Sequence, residues 1–340
     1  MKEACLNARK TIDIEQYIIE GDAVGHELFE LLAQKQKAGV HIRILCDMVG
    51  SYSFFSSDLP NTLRDIGVNI RFFNIIKPWR IQSFFSWFFR DHRKIMVIDG
   101  NVGFVGGVGF RADMKEWRDT HVKMMGPIVK EMRFAFEEMW ETAGKENFFR
   151  RMGRTSKFLH GFNFLTNSPF IRKRFIYRNL LSAIKSAKQY AFFTTPYFVP
   201  DRRIRKALLD ASARGVDVRI LVPQKSNYPI VDLASHTCFN QLLSGGVKIF
   251  LYKGEMLHAK TAVSDDNWAS VGSFNLDSLS LFYNYEANII SAKTEFIREI
   301  RLLFEKDLGQ AEAISASMWK SRPRRQKILE FFIYPLRRFL

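Results

Sequence analysis

Apolar and polar positions follow two alternating rhythms along this 340-residue chain. In GHELFELLAQKQK (25–37) and RRIRKALLDASA (202–213), apolar residues recur at steps of three and four, which predicts helices. Each run leads into a Gly-Val segment in which Val, Ile and Arg alternate, AGVHIRIL (38–45) and RGVDVRIL (214–221), and this period of two predicts strands. A second Gly-led strand follows in each case, IGVNIRFF (66–73) and GGVKIFLY (245–252), and then a third, KIMVID (94–99) and KTAVSD (260–265). The order helix, strand, helix, strand, strand therefore occurs twice. Strands alternating with helices predict an α/β sandwich with a parallel or mixed sheet in each half. The expected divisions are a first half over 1–155, a second over 156–310 and a basic amphipathic tail over 311–340. Residues 127–165, with the polar, basic stretch KENFFRRMGRTSK, are expected to join the halves. The lead-in of the second half, NFLTNSPFIRKRFIYRNLLSAIKSAKQYAFFTTPYFVP, is compressed in the first to MKEACLNARKTIDIEQYII, so the first half is expected to lack its opening strand.

The polar residues repeat as well. His92, Lys94, Asp99 and Gly106 have His258, Lys260, Asp265 and Gly272 as counterparts, each pair 166 positions apart. A single His-x-Lys on a strand is an ordinary surface feature; two copies in matching contexts point to shared chemistry. Residues two apart on a strand face the same side, so each His and Lys share a face. Gly272, Ser273 and Asn275 follow in a segment where glycine permits close approach of an anion and asparagine offers an amide donor. A cation, an imidazole and neutral donors aimed at one place form a phosphate cradle. Two cradles would set two imidazoles on one phosphorus, one to attack and one to protonate the leaving oxygen, a double displacement without a metal. The copies differ in two places. Gly67 to His92 spans 25 positions against 12 for Gly246 to His258, the excess falling in NIIKPWRIQSFFSWFFR (74–90), and Gly109 stands opposite Asn275.

Composition narrows the partners. Lys plus Arg number 51 against 35 acids, a net charge of +16, which draws the chain to polyanions: nucleic acid or an anionic membrane. Phenylalanine is used 32 times, which favours lipid. The three cysteines, Cys5, Cys46 and Cys238, are widely spaced and odd in number, against a disulfide framework or zinc site. No apolar stretch reaches the roughly 18 residues needed to span a bilayer, and MKEACLNARK lacks the apolar core of a signal peptide. Membrane attachment is expected to be peripheral.

The paired HxKxxxxD motifs, each followed by a Gly-rich stretch, resemble the signature of the phospholipase D superfamily from about residue 11 to about residue 310. EQYIIEGDAVGHEL, HRKIMVIDGNVGFVGGVGF, WRDTHVKMMGPIV, TPYFVPD and GSFNLDSLSLFYNYEANII are most similar to bacterial cardiolipin synthases without N-terminal transmembrane helices. The resemblance implies two α/β halves about a pseudo-twofold axis with the active site at their seam. It also implies transphosphatidylation between two phosphatidylglycerol molecules through a phosphohistidine, releasing glycerol, with no cofactor or metal. His92 is then the nucleophile and His258 the acid/base, with Lys94, Lys260 and Asn275 holding phosphate oxygens and Gly106, Gly107, Gly272 and Ser273 shaping the cradles. Asp119 and Glu286, 27 and 28 positions after His92 and His258, match acids that orient an imidazole. Asp99 and Asp265 belong to the signature and are expected to support a loop by hydrogen bonds. Gly109 departs from the family's usual Asn and removes one donor.

The partners so implied are phosphatidylglycerol and the membrane surface, on the cytoplasmic face of the bacterial cell membrane. Nucleic acid fits less well, because duplex binding has no need of Phe84, Phe85, Trp87, Phe88 and Phe89. The alternatives are a hydrolytic phospholipase D, a nuclease or a membrane-binding pseudoenzyme. Two segments are candidates for contact with lipid. WRIQSFFSWFFR (79–90) mixes aromatics with Arg80 and Arg90, and in WKSRPRRQKILEFFIYPLRRFL (319–340) Arg322, Arg324, Arg325, Lys327, Arg337 and Arg338 flank apolar residues. Packing against the protein's own core is the alternative for both.

Overall fold

In the computed structural model, which describes residues 1–76, 87–143 and 159–339, the repeated rhythm becomes two sheets. The first half runs α1 (Lys2–Leu6), β1 (Thr11–Gln16), α2 (Ala23–Lys37), β2 (His41–Asp47), α3 (Tyr52–Phe55), α4 (Leu59–Asp65), β3 (Asn69–Phe73), β4 (Arg90–Asp91), β5 (Ile95–Ile98), β6 (Val102–Gly106), β7 (His121–Met125) and α5 (Ile128–Thr142). The second runs β8 (Phe162–Asn167), α6 (Phe175–Ser186), β9 (Tyr190–Thr194), α7 (Arg202–Ala213), β10 (Asp217–Pro223), α8 (Pro229–Ser244), β11 (Lys248–Tyr252), β12 (Thr261–Ser264), β13 (Trp268–Gly272), α9 (Ser278–Phe282), β14 (Asn284–Ser291), α10 (Thr294–Leu308) and β15 (Ala311–Ile314). The tail adds α11 (Ala316–Lys320) and α12 (Arg324–Ile333).

The first sheet has the order β3-β2-β1-β5-β6-β7; the second has β15-β11-β10-β9-β12-β13-β14, with β8 and β4 both paired to β14. In each, the strands joined through helices are parallel, and the two that follow the His-x-Lys motif are antiparallel. This follows from connection length: a helix is needed to return a parallel strand, while a two-residue turn reverses the chain. Aspartates start two of the crossover helices, Asp22 accepting from the N–H of Val24 and Gly25 and Asp201 from that of Ile204.

β1 occupies in its sheet the place that β9 occupies in the other, between the second parallel strand and the motif strand. Among the described residues the first sheet has no counterpart of β8, the strand that opens the second half, and none of β15 at the far edge. The segment 127–165, expected to join the halves, is in its first part a helix. Residues 128–142 form α5, whose apolar face, Ile128, Val129, Met132 and Ala135, packs with Ile95, Val97 and Val105 of the first sheet and Phe164, Ala287 and Ile289 of the second. The basic run at 145–157 lies outside the described residues. One shared core thus fastens the halves together, and each half has its own core on the far side of its sheet.

The insertion before His92 is corrected in part. Residues 79–86, with Phe84 and Phe85, lie outside the described residues. Arg90, expected at a lipid headgroup boundary, is buried, donating to Asp47 (3.3 Å) and to the carbonyls of Phe89 and Asn74, while Phe89 packs on the core beside Phe73 and Tyr285.

Candidate active site

The motif strands bring the two histidines to one cleft. β4 pairs with β14 through Arg90 and Asp91, and the His92 N–H donates to the Tyr285 carbonyl (3.0 Å), so the first motif is stitched to the second sheet. The reciprocal stitch is Arg118: its N–H donates to the Met256 carbonyl (2.9 Å), and its own carbonyl accepts from the His258 N–H (2.8 Å). His92, Lys94, His258, Asn275 and Asn284 then line a single cleft of about 770 Å³, part of it open to solvent.

The carboxylates cross between halves. His92 Nδ1 lies 3.0 Å from Glu286 Oε1 and 3.1 Å from Oε2, and His258 Nδ1 lies 2.6 Å from Asp119 Oδ2. A carboxylate at Nδ1 fixes the proton there and leaves the Nε2 lone pair as the reactive position. Each acid stands 27 or 28 residues after one histidine and orients the other. Glu286 is held in turn by the hydroxyls of Ser273 and Ser280 and by Asn284; Asp119 accepts from the Thr120 N–H at 2.7 Å.

Both lysines are almost wholly buried, Lys94 1% and Lys260 2% exposed, and each Nζ donates to the carbonyl of the histidine two residues earlier. Burial pulls Lys94 down to about 8 and Lys260 to about 7, the nearby carboxylates pulling the other way. Burial, reinforced by the lysine cations, holds His92 well below the usual imidazole range and takes His258 down to about 3. Burial lifts Glu286 to about 7 against the pull of Lys94. Burial also pushes Asp119 upward, but His258 and Lys260 outweigh it and hold it below the usual carboxylate range. At neutral pH both imidazoles are neutral, Lys94 is mostly an ammonium and Lys260 is close to half protonated. Such a site gains by admitting an anion, whose charge offsets the lysines and restores basicity to the histidines.

The glycines explain how the parts fit. A Cβ at Gly107 would lie 2.1 Å from Asp119 Oδ1, and one at Gly106 2.4 Å from the Thr120 carbonyl oxygen. In the other half, Gly272 leaves room for Asn288, and Ser273, opposite Gly107, supplies a hydroxyl to Glu286. Asn275 is 3% exposed and lines the cleft, and among the described residues its Oδ1 has no hydrogen-bond partner. Opposite it, a Cβ on Gly109 would lie 3.0 Å from Met114 Sδ and 3.6 Å from Ile18, so apolar side chains fill the space of the missing amide.

Asp99 and Asp265 do not line the cleft. Each sits in a left-handed turn (φ 52° and 51°) and clamps the entry to a parallel strand. Asp99 accepts from the N–H groups of Arg9, Lys10 and Thr11, and Asp265 from those of Lys188, Gln189 and Tyr190. The signature aspartate thus anchors the sheet rather than touching the reacting atoms.

Sequence reasoning left several cleft residues without a role. Tyr17 packs edge-on against His92 (4.8 Å between centroids), and Trp117 and Tyr197 flank His258 (5.1 and 6.4 Å). All three lie in the resembling words EQYII, WRDTH and TPYF, the only signal that could have found them. Asp277, buried and pushed up to about 7 by that burial, caps α9 through the Ser280 N–H and also lines the cleft. Among the described residues, no group of three His, Cys, Asp or Glu is placed to hold a metal ion.

A family model described as cardiolipin synthase, PLD-like domain, matches residues 1–140 and 180–308, the stretches that carry both histidines, both lysines and both carboxylates. The chain belongs to this family. It is 34% identical to the cardiolipin synthase of Halalkalibacterium halodurans over 97% of its length, and 32% identical to cardiolipin synthase A of Pseudomonas syringae over 92%. It spans about two thirds of the length of these curated relatives, 67% and 66%. In fold it is similar to the phosphatidylserine synthase of Haemophilus influenzae, with a TM-score of 0.79 over 100% of this chain and 92% of that one at 12% identity. That likeness is of fold alone, and it extends across both halves of the cardiolipin synthase-type chain.

Proposed function

We propose that the chain is a phosphatidyltransferase that joins two phosphatidylglycerol molecules into cardiolipin with release of glycerol. The observation that carries this reading is the crossed pair of carboxylate-oriented imidazoles above two buried lysines, in a cleft walled by Ile18, Met114, Trp117 and Tyr197. The lysines and Asn275 hold the non-bridging oxygens of a phosphodiester. His92 Nε2 attacks phosphorus and the bond to the glycerol oxygen breaks; His258, which takes up a proton at Nε2 when the phosphodiester charge enters the cleft and restores its basicity, delivers that proton to the departing oxygen. The glycerol hydroxyl of a second phosphatidylglycerol then gives its proton to His258 and attacks the phosphohistidine, freeing His92. The relatives named cardiolipin synthase support cardiolipin as the product, and phosphatidylglycerol as the substrate comes from the family resemblance. His92 rather than His258 is assigned the attack from the family resemblance.

The test is turnover of radiolabelled phosphatidylglycerol in mixed micelles with product separation. Cardiolipin plus free glycerol supports the reading. Phosphatidic acid as sole product would mean that water is the acceptor, and no turnover would mean a binding protein. His92→Ala and His258→Ala are each expected to lose at least about 10⁴-fold in rate. With an activated leaving group, acid-labile label should accumulate on His258→Ala and not on His92→Ala; the reverse would exchange their roles.

A further inference from the structure

The C-terminal helix α12 is turned inside out. Its inward positions are polar: Glu330, 5% exposed, takes hydrogen bonds from Arg322 and Gln326, and Gln326 also reaches His236 of α8 (3.2 Å). Its outward positions are apolar, with Phe331 75% and Phe332 68% exposed and Ile328 and Leu329 more than half so. A surface helix of a globular protein shows the opposite arrangement. The element is nonetheless fastened to the body. Trp319 of α11 is buried against His236 and Phe239 of α8, ring centroids 5.0 Å from each.

The charge and position of this face say what covers it. Arg324, Arg325 and Lys327 are exposed, and the one acid of α12 is buried in its pairing with Arg322. The helix gives way to a 3-10 turn in which Tyr334 and Leu336 are exposed and the Arg337 guanidinium lies 3.9 Å from the Tyr334 ring centroid. The Arg337 carbonyl accepts from the hydroxyl of Ser278 (3.2 Å), the first residue of α9, and the next residue, Leu279, is an exposed wall of the cleft. Tyr228 and Ile230, at the start of α8, are exposed as well, Tyr228 also lining the cleft. An apolar, cationic surface therefore runs from α12 towards the cleft rim. Among the described residues no helix is long and apolar enough to cross a membrane.

We propose that α12 and the turn after it form a docking face for an anionic lipid surface, seating Phe331, Phe332, Ile328 and Leu329 below the headgroups and setting the cleft mouth against them. The proposal rests on the lipid reading of the cleft for the chemistry of that surface, but its readout is binding, which requires no turnover. The test is co-sedimentation of the full chain with vesicles of phosphatidylcholine containing 30% or so phosphatidylglycerol, at low and high salt, beside pure phosphatidylcholine vesicles. Wild-type protein should bind the anionic vesicles and weaken several-fold as salt rises. The double variant Phe331→Ser/Phe332→Ser should bind more than about tenfold less while keeping its melting temperature, since both rings are solvent-exposed. His92→Ala should bind like wild type. Undiminished binding by the double variant would overturn the proposal. So would a wild-type dimer that the same variant dissolves with vesicle binding unchanged, because a second copy would then be the occupant.

Discussion

The two cradles are built on one plan and furnished differently. His258 is paired with Asp119, a short acid that sits where Gly107 leaves room and that its cationic neighbours keep ionised. His92 is paired with Glu286, a longer acid clasped by Ser273, Ser280 and Asn284 and lifted by burial to about 7. Asn275 faces the cleft from one half, while Met114 and Ile18 fill the corresponding place in the other. The difference teaches that duplication supplied matching positions while each half surrounds them with different partners. Under the proposed roles, the ionised Asp119 offsets part of the burial that disfavours the His258 cation, which suits a histidine that holds and returns a proton. A histidine beside a carboxyl that shares its proton readily stays neutral and free to attack.

The lysines give the largest effect with which to break this comparison. Replacing either Lys94 or Lys260 by Met should cost at least about 10³-fold in turnover, because two buried cations stabilise the transition-state charge together. Stability should move the other way. Between its folded and unfolded values, a lysine depressed in the folded state has lost its proton there while the unfolded chain still holds it. Its cost is therefore absent above the unfolded value near 10.4, grows as pH falls, and saturates below the folded value. Lys260, taken to about 7, should yield more on replacement than Lys94, taken to about 8: on the order of a few kcal/mol at pH 7, shrinking towards pH 10. Urea unfolding of both variants at pH 7 and pH 9.5 checks the order and the sign. Equal stabilisation, or none, would mean that the two cradles are electrostatically alike.

The carboxylates sharpen the comparison at an intermediate size. Asp119→Asn should lower the rate on the order of 10³-fold, since it removes the stabilising charge from the acid/base histidine. Glu286→Gln should cost closer to about tenfold, because the amide resembles a protonated form that Glu286 already samples near pH 7. Rates measured from pH 5 to pH 9 for both variants decide this. A Glu286→Gln loss as deep as that of Asp119→Asn would give the two acids one role.

The smallest effect belongs to Gly109→Asn, which restores the symmetrical residue. Its Cβ needs Met114 to move by a few tenths of an ångström, which a flexible thioether tip can do, so the fold should hold and turnover change less than about fivefold. A gain beyond tenfold would show that the first cradle is limited by the missing amide donor, whose removal is elsewhere worth roughly 3 kcal/mol.

Much of this molecule was legible along the chain because it depends on neighbours in sequence. Periods of three to four and of two placed helices at 25–37 and 202–213 and strands within 38–45 and 214–221, which the structure sets at His41–Asp47 and Asp217–Pro223, and the constant spacing of His, Lys, Asp and Gly revealed the duplication and the two His-Lys pairs. Where reading failed, remote packing had overruled local character. Arg90 looks like a headgroup anchor until Asp47, 43 residues earlier, is found beside it. Residues 128–142 read only as part of the join between the halves, and the core they share with both sheets is visible only in the fold. Spacing placed Asp119 and Glu286 after His92 and His258 but could not say which acid serves which histidine. That pairing is decided only when β4 joins β14 and Arg118 joins the strand entering His258, because a hydrogen bond depends on distance in space and the two halves exchange neighbours at their seam. The inverted face of α12 is of the same kind: its composition is written in the sequence, but which side meets water was settled by Trp319 and Gln326 finding α8.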